Sequence, residues 1–329
     1  MKALVIGATG FLGHHVMRRL LADGHEVRVM LRPTSAPERL RGAAVERCVG
    51  DLADVDALAR AVRGCDWVFH AAGSISLWTG RTAQLRADHV DGTDHVARAC
   101  QATGARLVWT GSVGALGRPH PDGAVGDETT PFDWPAGIHP YGEAKRDAEA
   151  SLRIAAAGGL DVVVVMPTTT FGPLDENLSA ARMIAEIDGG LILGYPAGGM
   201  TVAHVDAVAA GHVAAAARGR RGARYVLGGD HLTYRALFAM IAEGIGRRPP
   251  RIRLPRPLMR VLGSGGGLAS SLLGRDVGLN RASALLGCFH LYYSSDKAIR
   301  ELGWYPLPAR DAVREACDWY LATRGHRAA

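Results

Sequence analysis

Apolar residues recur along this chain with two periods, and the switches between them lay out its elements. Ala3-Leu4-Val5-Ile6 is an unbroken apolar run of strand type, while from Leu12 to Leu21 apolar side chains recur at helical spacing until Gly24. The alternation then repeats. Glu26–Leu31, Val45–Val49, Asp66–Phe69, Arg106–Thr110 and Asp161–Met166 read as strands. Asp54 is placed to cap a helix running to about Arg63, and Tyr141 opens another to about Ala157. Strand and helix in strict turn predict an α/β fold, a Rossmann-type doubly wound parallel sheet.

Beyond Pro167 the pattern loosens. Residues 169–199 read as an excursion from the sheet, Val202–Val205 and Arg224–Leu227 return as strands, and Thr233 is placed to cap a helix to about Gly244. Segments Ser295–Gly303 and Ala309–Arg324 close the chain as helices. The predicted division is a cofactor-binding Rossmann domain of residues 1–168 plus 200–230, with a smaller C-terminal substrate-binding lobe of 169–199 plus 231–329. Ser74–Arg86, without clear period, is expected to be a substrate loop, and 117–140, rich in Pro, Gly and Asp, mostly loop. Leu262–Leu273 is soft and rich in Gly and Ser. It reads as a pocket lining or a weakly packed helix, and contact with a membrane surface is the less favoured reading.

Composition narrows the function classes. With 48% hydrophobic and 21% charged residues the chain is ordinary globular material. Net charge is +6, carried almost wholly by arginine, but no basic stripe with interleaved aromatics marks a nucleic-acid partner. The charge suits an anionic cofactor or substrate instead. Cys48, Cys65, Cys100, Cys288 and Cys317 lack paired or zinc-type spacing, so reduced thiols and no metal are expected. The acidic trio Asp51, Asp54 and Asp56 fits capping and adenine contact better than a calcium loop. No apolar run reaches the roughly 18 residues of a membrane span. With a strand expected from the third residue, no leader and a cytoplasmic location are expected.

The first turn carries the clearest chemistry. Gly7-x-x-Gly10-x-x-Gly13 lies between strand and helix, where glycines permit a sharp turn and close approach to a pyrophosphate. The N–H groups and dipole of the following helix favour that anion. At the tip of the second strand stands Arg32, with no Asp or Glu to hold a ribose 2′-hydroxyl; an arginine there suits the 2′-phosphate of NADP, with NAD the alternative. His70-Ala71-Ala72-Gly73 ends the fourth strand, where sheet ligands bind. Farther on, Tyr141 and Lys145 are four apart on one helix face, and Ser112 ends the fifth strand. A tyrosine titrates near 10 when unperturbed, and a neighbouring ammonium is expected to lower that value and favour the phenolate. Such a pair, with a serine to place the substrate oxygen, can move the proton that accompanies a hydride transfer.

With these motifs the chain resembles the extended short-chain dehydrogenase/reductases, the NAD(P)-dependent epimerase/dehydratase family, and within it the dihydroflavonol-reductase-like and hopanoid-associated sugar epimerase branch. The stretches that carry the likeness include GATGFLG at 7–13, LRPTS at 31–35, GDL at 50–52, HAAG at 70–73, YGEAK at 141–145 and HVDAVAAGH at 204–212. The resemblance implies an NAD(P)-dependent enzyme with Ser112, Tyr141 and Lys145 as catalytic residues. It implies cofactor contacts from Gly7, Thr9, Gly10, Phe11, Leu12, Arg32, Asp51, Leu52, Ala71, Ala72, Gly73, Tyr141, Lys145 and Pro167. It also implies a homodimer built on the helices around Asp91–Ala102 and Tyr141–Ala157, and a small-molecule substrate.

Four positions depart from the family's habit: Gly111 where a Ser is usual, His89 where an Asn is usual, and Met166 and Thr169 where many nucleotide-sugar enzymes carry Arg and Asn. The expected activity is an NADP(H)-dependent oxidoreductase interconverting a carbonyl and a secondary alcohol on a small or polycyclic substrate. The alternative is a nucleotide-sugar epimerase working through a transient keto intermediate. A 4,6-dehydratase is disfavoured because Val113 and Gly114 stand where its acidic pair belongs. A non-catalytic NADP sensor would have no use for the proton-moving residues.

Overall fold

A computed structural model describes residues 1–35, 37–176 and 180–327. Seven strands form the main sheet: β1 (Lys2–Ile6), β2 (Glu26–Leu31), β3 (Glu46–Val49), β4 (Trp67–His70), β5 (Arg106–Thr110), β6 (Val162–Pro167) and β7 (Arg224–Leu227). Their order is β7-β6-β5-β4-β1-β2-β3 and every pairing is parallel. Chain order reverses at β1, which lies between β4 and β2, so the crevice at their carboxyl ends is the place for a ligand.

Both faces of the sheet are covered, which is why its strands read as apolar runs. On one face α1 (Phe11–Ala22) packs beside α5 (Val205–Arg218) over Ala3 and Val5. On the other, α2 (Val55–Val62), α3 (Gly92–Thr103) and α4 (Pro140–Ala157) cover Leu4 and Ile6. The period-two alternation of β1 thus serves two cores at once. All six residues of β6 are buried.

The rest of the chain forms smaller sheets. Gly199–His204 pairs antiparallel with Asp230–Thr233 and parallel with both Thr169–Phe171 and His290–Tyr293; the last also pairs with Val125–Gly126. A third core, with Phe171, Ile184, Leu237, Ile241 and Val313, lies beneath them. Tyr293 ties this part to the main domain, its hydroxyl donating to the Gly117 carbonyl at 2.7 Å.

Three sequence expectations change. Ser74–Arg86 is not all loop: a 3-10 turn (Thr79–Arg81) leads into a helix (Thr82–Arg86), which continues through a π turn (Ala87–Asp91) into α3. Only Leu85 of Thr82–Arg86 is buried, so no apolar period could announce that helix. The excursion 169–199 contains strands Thr169–Phe171 and Gly194–Pro196 and helix Ala181–Asp188, while its residues 177–179 lie outside the described residues. The soft segment is the last two thirds of an 18-residue helix, Arg256–Leu273.

Candidate active site

The glycine turn closes hard against the end of β4. Gly7 has φ +96°, and a Cβ there would lie 2.8 Å from the Ala72 nitrogen and 2.9 Å from the Ala71 carbonyl carbon. A Cβ on Gly13 would lie 2.2 Å from the Gly7 carbonyl oxygen. Gly10 donates to that same oxygen at 2.9 Å and stands at the N-cap of α1 with no side chain to cap it. Helix N–H groups of the Phe11–Leu12 turn therefore point into a cradle kept free of side chains, at the switch point of the sheet. That geometry fits the pyrophosphate of a nicotinamide dinucleotide.

Around it stand the other expected cofactor contacts. Arg32 is exposed at the tip of β2, in a turn closed by its N–H to Ser35 Oγ at 3.1 Å and by Ser35 N–H to its carbonyl at 2.9 Å. Asp51 accepts from Ala53 N–H at 3.1 Å, and the Leu52 carbonyl bonds His95 Nδ1 at 2.8 Å. Asp54 caps α2 as expected, accepting from Ala57 N–H at 2.9 Å. Pro167 is buried at the end of β6. One group escaped the sequence reading: Arg39 donates to the Thr9 carbonyl at 2.7 Å and pairs with Glu176, holding a guanidinium beside the glycine turn. Thirty residues separate Arg39 from Thr9, and no spacing rule connects them.

Ser112, Tyr141 and Lys145 meet at the carboxyl ends of β4, β5 and β6. Ser112 has extended backbone, its Oγ accepts from Gly114 N–H at 3.0 Å, and the same side chain favours the phenolate form of Tyr141. Lys145 Nζ donates to the Thr110 carbonyl at 2.7 Å and lies 4.8 Å from the Trp109 ring centre and 5.9 Å from that of Tyr141. In the protein without cofactor, desolvation works against the expected lowering of the tyrosine. Burial pushes the Tyr141 phenol up to about 12, opposed only by Ser112, and pulls the Lys145 ammonium down to about 7. Desolvation penalises both charged forms and outweighs their mutual attraction.

Two histidines touch the same tyrosine. His89, buried in the π turn, bonds the Ser74 carbonyl through Nε2 at 2.7 Å and meets the Tyr141 ring edge-on at 5.4 Å. Burial, then the charge of Lys145, holds it down to about 2, so it is neutral and donates from Nε2. Gly73 leaves space for that ring, since a Cβ there would lie 2.2 Å from its Cε1. His139 went unnoticed in the sequence. It is the N-cap of α4, its Nδ1 accepting from Gly142 N–H at 3.3 Å. That bond fixes the tautomer with the proton on Nε2. A Cβ placed on Gly114 would be 3.3 Å from this Nε2 and 3.2 Å from Ser112 Oγ, so the donor flanks the serine. Burial holds His139 down to about 4. The Gly111 departure has a steric reason: a Cβ there would press at 3.1 Å on both the Trp109 ring and Val164.

His204, Asp206 and Glu315 offer ligand atoms within 4.8 Å of one another. Each is already used. His204 Nδ1 accepts from Asp206 N–H at 3.1 Å, which turns its Nε2 proton toward Glu315 at 3.3 Å, and Asp206 binds His15 Nδ1 at 2.7 Å. The group is a helix cap with its ion pairs, without a free imidazole lone pair for a cation.

A glycine-lined helix N-terminus at the switch point, facing a Tyr–Lys pair, defines a dinucleotide-dependent enzyme of Rossmann type. The chain belongs to the NAD dependent epimerase/dehydratase family, whose model it matches over residues 3–228, and so to the extended short-chain dehydrogenase/reductases. It is 31% identical over 322 residues to a putative dihydroflavonol 4-reductase of Synechocystis sp., covering 96% of this chain and 93% of that one. It is 32% identical over 327 residues to sterol demethylase protein B of Methylococcus capsulatus, covering 97% and 98%. The crystal structure of a nucleoside-diphosphate-sugar epimerase from Pseudomonas aeruginosa superimposes with a TM-score of 0.82 at 29% identity, covering 98% of each chain.

Proposed function

We propose that this enzyme is an NADP(H)-dependent reductase of a carbonyl group on a small or polycyclic apolar substrate, with Tyr141 as proton donor. One observation carries this reading: the Tyr141 phenol stands beside Ser112, with Lys145 one helical turn on, its Nζ held by the Thr110 carbonyl at 2.7 Å and 5.9 Å from the tyrosine ring centre. A phenol so placed can protonate a carbonyl oxygen as hydride arrives at the carbonyl carbon. The names of the dihydroflavonol reductase and sterol demethylase relatives support a ring-bearing substrate.

The residues that would hold NADPH are Gly7, Thr9, Gly10, Phe11 and Leu12 as the cradle, Ala71, Ala72 and Gly73 beside it, Asp51 and Leu52 for the adenine, Arg32 for the 2′-phosphate and Pro167 for the nicotinamide, and the bound cofactor would supply the hydride. Ser112 Oγ holds the substrate oxygen. Tyr141 Oη gives that oxygen its proton as negative charge develops there. The phenolate left behind favours the ammonium form of Lys145, and a proton from solvent restores the Tyr141 phenol for the next turnover. Residues 1–168 plus 200–230 serve the cofactor and the remainder shapes the substrate pocket. Two copies pair through α3 and α4, where Ile154 is 76% exposed; light scattering at micromolar concentration should give twice the chain mass, and a monomer rejects the pairing.

The second reading is the epimerase, favoured by the likeness to the Pseudomonas aeruginosa structure. The deciding experiment follows NADPH absorbance with cyclic apolar ketones, and separately incubates UDP-sugars with NAD+ or NADP+, the oxidised form that an epimerase needs to begin. Stoichiometric NADPH loss with the ketone supports the reductase. Epimerisation of the sugar without net cofactor change overturns it.

A further inference from the structure

The Arg256–Leu273 helix carries three stripes. Inward, Met259, Gly263, Gly266 and Ser270 follow helical spacing and lie on residues 279–284, where a Cβ on Gly263 would come within 2.5 Å of the Ala284 Cβ. A second stripe is apolar yet open: Val261 is 68%, Leu268 63% and Leu272 79% exposed, flanked by Leu258, Leu262 and Leu273. The third is polar, with Arg256, Arg260 and Ser271.

The chain leading into this helix is charged in one sense only. No acidic residue occurs between Glu243 and Asp276, while arginines stand at 247, 248, 251, 253, 256, 260 and 275. Arg247 and Arg256 are paired with Asp188 and Asp122. Arg248, Arg251, Arg253 and Arg260 are exposed, with no ion pair among the described residues. A second copy of the chain would bring the same unpaired arginines to the contact, and like charge opposes that pairing. An anionic bilayer surface meets both halves of the feature, leucines at the acyl boundary and arginines at the phosphates.

We propose that this face seats the protein on an anionic bilayer surface, the helix lying in the interface. No described helix is long and apolar enough to cross a membrane. The seat connects to the active site through aromatic contacts. Beneath the helix, Phe289 packs on the Met259–Ala284–Cys288 cluster; its ring lies 6.0 Å from Trp134, which lies 6.2 Å from His139 beside Tyr141. The docking claim stands apart from the reductase reading, because it is tested by binding alone.

The test is co-sedimentation of the full chain with vesicles of phosphatidylcholine plus phosphatidylglycerol, and of phosphatidylcholine alone. Binding should be about tenfold or more stronger to the anionic vesicles and should weaken with added salt. Leu268→Ser/Leu272→Ser and Arg248→Glu/Arg251→Glu should each reduce it about tenfold or more while the melting temperature and NADPH binding are kept. Absence of wild-type binding to anionic vesicles, equal binding to both vesicle types, or wild-type binding by either double variant overturns the proposal. A change in oligomeric state on Leu268→Ser/Leu272→Ser with vesicle binding intact would assign the face to a second copy instead.

Discussion

Gly13 and Gly263 are both glycines at which a Cβ would collide, 2.2 Å from the Gly7 carbonyl oxygen in one case and 2.5 Å from the Ala284 Cβ in the other. In the nucleotide turn the collision is with a residue six positions away, inside one strand–turn–helix unit. In the C-terminal helix it is with a residue twenty-one positions on, across a loop. The first glycine clears a floor for a ligand, and the second lowers a helix onto its support so that leucines on another stripe stay open. The region that does chemistry is built from local rules and faces inward; the region that meets the surroundings depends on distant packing and faces outward.

The sharpest way to break this contrast is Tyr141→Phe. Turnover should fall by roughly 10²–10⁴-fold, the usual worth of a positioned proton donor, with NADPH affinity and melting temperature nearly unchanged because ring volume is kept. Steady-state kinetics with isothermal titration checks it. Near-full turnover would make the inward region a cofactor pocket whose chemistry lies elsewhere.

Lys145→Met comes next. It should lower both turnover and NADPH affinity, and combined with Tyr141→Phe the losses should fall far short of additive, since either change disables one relay. It also has a signature in the cofactor-free protein. The folded value of Lys145 is about 7, below its ordinary 10.5, so between those values the unfolded chain binds a proton that the folded chain lacks. Stability is therefore reduced below about 7 and recovers as pH rises toward 10.5. Thermal melts of the wild type should climb across that window, by about 2–4 °C or more, and Lys145→Met should flatten the climb. Parallel curves would show that Lys145 is not desolvated as the geometry requires.

What the chain discloses about itself divides along the same line. The glycine turn, the seven parallel strands and the Tyr141–Lys145 face are visible because each rests on residues fewer than about twenty apart, where period and spacing rules operate. Arg39 above Thr9, His139 beside Ser112 and the π turn that presents His89 escape those rules. Each depends on how loops fold back over the sheet, and His139 looks like nothing more than a residue before Pro140. The lowering of the phenol expected from a nearby lysine is opposed by desolvation, on which spacing carries no information. The Leu262–Leu273 segment kept several readings open for a similar reason: its glycines explain themselves only once residues 279–284 lie beneath them.

Arg32→Ala sharpens the cofactor side with a smaller effect. A charge-assisted contact to the 2′-phosphate is worth about 1.5–3 kcal/mol, so NADPH affinity should fall about tenfold or more while NADH affinity holds. Unchanged NADPH affinity would pass the role to Arg39, the other guanidinium beside the turn.

The smallest effect is expected at His139, where cap and donor must be separated. His139→Ala would remove both, and a lost cap alone costs about 1 kcal/mol. His139→Asn keeps a side-chain oxygen that can accept from Gly142 N–H but withdraws the Nε2 proton from its place beside Ser112. A neutral hydrogen bond of about 0.5–1.5 kcal/mol then predicts a loss of about 2- to 12-fold in kcat/KM, with the melting temperature kept. Burial holds His139 at about 4, so at neutral pH it is a fixed donor with no proton to gain or lose. The loss should therefore be the same at every pH well above that value. A loss that varied with a midpoint near 6.5 would mean that the imidazole titrates in the working enzyme, and that water reaches the buried His139 ring.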